Sequence, residues 1–106
     1  MSIRKVKSQA IKFLEKASGG PLTFARLIES IRLADEIPQI EFALKLGISK
    51  SHLCDIEKGR KSVSPERAAK FANILGYSVE QFVRLALQEQ ITKAGLNLKV
   101  DINKAA

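Results

Sequence analysis

The chain has one cysteine, one histidine, no tryptophan and no long apolar run, and each shortage closes off a class of protein. A single cysteine cannot form an internal disulfide, so no cystine framework is available and a reducing, cytoplasmic compartment is expected. No stretch approaches the run of about 18 apolar residues that a membrane-spanning helix needs. The opening residues spread their charges through an amphipathic pattern, unlike a signal peptide. His52 has no metal-binding cluster to join, and Cys54 has no second cysteine to resolve an oxidised sulfur. With the scattered carboxylates these two residues make no recognisable set of nucleophile, base and orienter, so no metal, cofactor or catalytic activity is expected. Internal repeats and low-complexity segments are missing as well.

What remains is a basic chain of 106 residues, enough for one compact core without metal or disulfide staples. Eighteen Lys and Arg face eleven Asp and Glu, a net +7. The excess is uneven: residues 1–20 hold five basic groups against Glu15, residues 21–95 eleven against nine, and the last eleven residues add +1. Such a balance favours a polyanionic partner, nucleic acid before an anionic membrane surface. Ordinary solubility charge is the bland alternative.

The apolar spacing reads as short helices with clear punctuation. Ile3, Val6, Ala10, Phe13 and Ala17 predict an amphipathic helix over Ser2 to Ala17, ended by Gly19-Gly20-Pro21. Its stripe suits packing better than membrane binding, since it lacks tryptophan. Thr23 caps the next helix, with Leu22 stapled to Leu27 and the pattern running to about Ala34. Pro38 opens a two-turn helix, Gln39 to Leu46, stopped by Gly47. Ser49 caps the following one, which Gly59 ends. Ser64-Pro65 opens a helix with Ala68, Phe71, Ala72 and Leu75 on one face, ended by Gly76. Ser78 and Gln81 form a capping box for the last helix, which carries Phe82, Leu85 and Ala86 inward and runs to about Lys93.

Two short helices joined by a Gly-containing turn form a helix-turn-helix, whose second helix enters the DNA major groove. The pattern "Q.EFALKLGISKSHLCDIEKGRK", followed by "SPERAAKFANILGYSVEQF", resembles the Cro/Xre-type helix-turn-helix family of phage repressors, bacterial regulators and antitoxins. The likeness covers roughly Thr23 to Leu87. It implies an all-α, five-helix lambda-repressor-like domain over residues 21–95, here with an extra N-terminal amphipathic helix (1–20) and a tail (96–106).

The resemblance also implies roles. Gln39 stands where relatives hold a phosphate and brace the reading side chains, and Ala43 where the two motif helices approach closely. Lys50, Ser51 and Asp55 take the positions that face base edges, with Cys54 beside them; Lys suits guanine, Asp suits cytosine N4, and a thiol can touch a thymine methyl. His52, Lys58, Arg60 and Lys61 are placed for phosphates, or are plain surface charge. For Asp55 the bland reading is a local pair with Lys58. Arg32 and Glu57 match the family's internal ion pair. Two departures stand out: Pro38 replaces a side-chain cap, and Asp35 and Glu36 make the turn before it acidic, which argues against that turn lying on a phosphate.

In the tail Leu96, Leu98, Val100 and Ile102 alternate with polar residues, the two-residue period of a short strand. A lone strand needs a partner, so this segment either frays or joins two chains as a dimerisation element. Together these readings lead to a sequence-specific repressor acting as a homodimer on a palindromic, double-stranded operator. An antitoxin with a toxin protein as partner and a stand-alone or phage-derived regulator are the two settings. A protein-interaction module that keeps the fold without reading DNA is the alternative.

Overall fold

The computed structural model describes residues 22–105, and the helix expected over Ser2 to Ala17 lies outside them. Five helices follow one another: α1 (Phe24–Ala34), α2 (Gln39–Leu46), α3 (Lys50–Glu57), α4 (Pro65–Leu75) and α5 (Val79–Lys93). Among the described residues there is no strand.

Four helices start on a side-chain cap, each an oxygen accepting a backbone N–H that the first turn cannot satisfy itself. Thr23, Ser49, Ser64 and Ser78 accept from Arg26, His52, Arg67 and Gln81 at 3.1, 3.0, 3.2 and 3.3 Å. Helix α2 begins on Pro38 with no side-chain bond. Gly47, at φ +75°, lets the chain leave α2, and the N–H of Ile48 returns to the carbonyl of Ala43 at 3.0 Å. The same job after α1 falls to Glu36, a left-handed residue (φ +56°) with a side chain.

The core draws on every helix. Phe24, Phe42, Phe71 and Phe82 are fully buried with Leu27, Ile28, Leu46, Leu53 and Ile56. Phe24 meets Phe82 edge to face at 5.8 Å, joining the start of α1 to α5, and Tyr77 lies 5.6 Å from Phe82. Ala43, 2% exposed, sits inside the α2–α3 corner, where a larger side chain would force the two helices apart. The result fixes α3 by its apolar face, Leu53 and Ile56, and leaves Lys50 and Ser51 in solvent.

The tail corrects one expectation. Residues 96–105 form no strand, and among the described residues no other strand offers them an edge. Instead Gln88 on α5 donates from Nε2 to the Leu98 carbonyl (2.9 Å) and accepts the Val100 N–H on Oε1 (2.7 Å). Val100 and Ile102 are half-buried, while Leu96 and Leu98 are 50% and 60% exposed.

Candidate nucleic-acid interface

The anchor of the site lies beneath it. Glu57, at the last turn of α3, has a side chain only 1% exposed, and Arg32 from α1 clasps it with Nε at 2.8 Å and Nη2 at 3.0 Å. Arg32 Nη1 also reaches the Ile37 carbonyl at 3.2 Å. The bond from Glu57 holds the guanidinium above its ordinary pKa. Gln39, at the start of α2, donates from Nε2 to Glu57 Oε1 at 3.0 Å. One carboxylate thus ties together α1, α2 and α3, and every buried polar side-chain atom among the described residues is satisfied.

Above this anchor, Gln39, Lys50, Ser51, Cys54, Asp55 and Arg60 line one open depression. It brings together all four residues expected to face bases with two of those expected at phosphates. Lys50 and Ser51 are exposed in the first turn of α3, and Cys54 and Asp55 follow one turn on, half-buried.

Asp55 is engaged, though not with Lys58. Arg60 Nε lies 2.9 Å from Oδ1 and Lys61 Nζ 3.5 Å from Oδ2. The cause is local: Gly59 at φ +73° turns the chain back, so the N–H groups of Arg60 and Lys61 both donate to the Asp55 carbonyl, at 2.8 and 3.2 Å. The side chains then close on the carboxylate. Arg60's hydrogen bond, more than any other effect, holds Asp55 below the usual carboxylate range. Arg60 Nη2 also comes within 3.7 Å of Cys54 Sγ. Lys58 caps the end of α3 in full exposure.

His52 follows Ser51 in α3 and does not line this depression. Arg67 Nη1, from the first turn of α4, lies 3.4 Å from both ring nitrogens. Burial, then the charges of Arg67 and Lys61, push the imidazole below its ordinary pKa. Sequence reasoning missed Arg67 as a neighbour of the site; its place in the capped turn after Ser64 was the one available signal. Lys50, Lys58, Arg60 and Lys61 occupy α3 or the loop that follows it, and Arg67 the first turn of α4, which puts cations around the polar face of α3.

Among the described residues no three His, Cys, Asp or Glu side chains come together in a group able to hold a metal, and no helix is long and apolar enough to cross a membrane. A model of the helix-turn-helix family matches residues 28–82, from α1 into α5 and across the whole depression. Searches of curated proteins and of solved structures returned no match.

Proposed function

The chain belongs to the helix-turn-helix family, in its Cro/C1 type, and is a DNA-binding regulator; from this we propose a cytoplasmic, sequence-specific repressor that occupies a palindromic operator as a two-fold dimer. The carrying observation is one open face on which Lys50, Ser51, Cys54 and Asp55 meet Gln39 and Arg60. Two such faces, related by a two-fold, enter successive major grooves roughly 34 Å apart. Lys50 and Ser51 project from the exposed first turn of α3 and read base edges. Arg60 and Lys61, steadied by Asp55, hold phosphates together with Lys58 and His52. No step of this function is catalytic.

In the setting we favour, the protein is an antitoxin that represses its own operon, with the terminal segments available to a toxin protein. The reading is tested by salt-titrated binding to the DNA upstream of the protein's own gene. Wild type binds that DNA in preference to a scrambled duplex, and Lys50→Ala loses the preference. Equal, weak binding of both duplexes by wild type would overturn it.

A further inference from the structure

Residues advance about 100° around an α-helix, so the positions of α3 divide between the middle of its outward face and two flanks. Ser51 and Asp55 mark the middle. Lys50 and Cys54 lie to one side of them and His52 to the other, with Leu53, Ile56 and Glu57 buried behind. Gln39, bonded to Glu57, borders the Lys50 side. Arg67, from α4, borders the His52 side. Its Nη1 is 3.4 Å from both ring nitrogens, and any position in the ring plane at those distances collides with a ring carbon. The guanidinium nitrogen therefore lies over the face of the imidazole, an arrangement that suits a planar cation and leaves the in-plane direction of each ring nitrogen open. Arg60 and Lys61 share Asp55, whereas Arg67 is exposed and has no ion pair among the described residues.

An α-helix with its side chains is roughly 10–12 Å across, the width of the B-DNA major groove, so a helix seated there has a phosphate strand along each flank. We propose that Arg67 and His52 clamp a DNA phosphate on the strand opposite the one that Gln39 borders. Arg67 supplies a full charge to the phosphate and, by stacking, holds the imidazole edge toward that strand, where a ring N–H donates to a phosphate oxygen. Lys61, whose charge also bears on the ring, adds to the same flank, and Asp55 opposes it more weakly. The clamp is separate from the depression, which neither His52 nor Arg67 lines. It carries no base information. Its role is to fix α3 in the groove from the flank that the depression leaves unheld. The clamp rests on the DNA-binding reading above and adds Arg67 to it.

The test is anisotropy of the full chain on the duplex from upstream of its own gene, over a salt series, with single phosphates replaced by neutral methylphosphonates on each strand in turn. Wild type loses affinity at phosphates of both strands. Arg67→Gln reduces the salt slope by about 0.9, the release of one counterion, and so lowers affinity roughly eightfold at 0.1 M salt on operator and scrambled duplexes alike. It also ceases to respond to one neutralised phosphate that weakens wild type, on one strand only within each half-site. Arg67→Lys keeps the charge and restores the slope, a rescue that a purely structural role for the arginine would not give. The effect of His52→Gln is smaller in the Arg67→Gln background than in wild type, because the two side chains share one phosphate. Unchanged binding by Arg67→Gln, or a loss of response spread over both strands, would overturn the clamp and leave the DNA reading standing. A wild type that binds neither duplex removes that reading itself, and the clamp with it.

Discussion

Arg32 and Glu57 are 25 residues apart in sequence and meet through two side-chain hydrogen bonds of 2.8 and 3.0 Å, which makes the pair a hinge pin between α1 and α3. The pin decides how α3 is aimed. Gln39 shares the same carboxylate, so the start of the first motif helix is referenced to the end of the second. Removing the guanidinium leaves Glu57, with a side chain 1% exposed, as an uncompensated charge.

Arg32→Ala is therefore expected to cost about 3 kcal/mol of unfolding free energy, the range seen when one partner of a buried pair is removed. Urea melts of the variant measure this. An apolar replacement of both partners, Arg32→Met with Glu57→Leu, recovers most of the loss because no charge is stranded. A loss below about 0.5 kcal/mol in the single variant would mean that water reaches Glu57 freely.

Much of this architecture was legible in the sequence, and the legible part is local. Thr23, Ser49, Ser64 and Ser78 cap their helices because a cap needs only a short side chain and the N–H three residues on. Gly47 breaks α2 for the same local reason. The Arg32–Glu57 contact came from a family resemblance, since no spacing rule joins positions that far apart. The clasp of Asp55 by Arg60 escaped, because helical spacing pointed to Lys58 while Gly59 reverses the chain and carries Arg60 back. Alternation in the tail predicts a short strand, and residues 96–105 form none; Gln88 on α5 instead holds the Leu98 carbonyl and the Val100 N–H.

Glu36 offers a cleaner stability test. It occupies the left-handed region at φ +56°, where a Cβ crowds the backbone, and its carboxylate sits next to Asp35 in an exposed turn. Glu36→Gly is expected to stabilise the fold by about 1 kcal/mol, the strain relieved being partly offset by the greater freedom of glycine when unfolded. Thermal and urea melts read the change, and DNA binding stays as it was.

His52 gives the molecule a pH dependence whose sign is fixed by its surroundings. Burial and the nearby Arg67 and Lys61 lower its folded pKa below that of the unfolded chain, so the unfolded state binds the proton more readily. The stabilising contribution is fully present above about pH 6.5 and is lost as pH falls from there through the folded value. His52→Gln flattens that part of the stability profile. A DNA phosphate beside the ring acts in the opposite sense, drawing a proton on, so operator affinity rises between pH 7.5 and 6 in wild type and stays level in the variant. Calorimetry in buffers of different ionisation enthalpy detects the proton uptake directly.

The cations around the depression differ in what they do, and salt separates them. Lys58 is exposed at the end of α3 and has no ion pair among the described residues, so Lys58→Ala lowers affinity for every duplex alike and reduces the salt slope by about 0.9, the release of one counterion. Lys50 faces the open depression, and Lys50→Ala is expected to cost about 1–3 kcal/mol of discrimination at one base pair. Asp55→Asn behaves differently from both. It releases Arg60 and Lys61 from the carboxylate that holds them at 2.9 and 3.5 Å, leaving two mobile cations with one less negative charge beside them. Affinity for scrambled DNA then rises while preference for the operator falls, a combination that loss of a direct base contact alone does not produce. Binding curves of wild type and the three variants on operator and scrambled duplexes, over a salt series, distinguish the roles. Unchanged binding of scrambled DNA by Asp55→Asn would assign Asp55 to base reading in place of steadying Arg60.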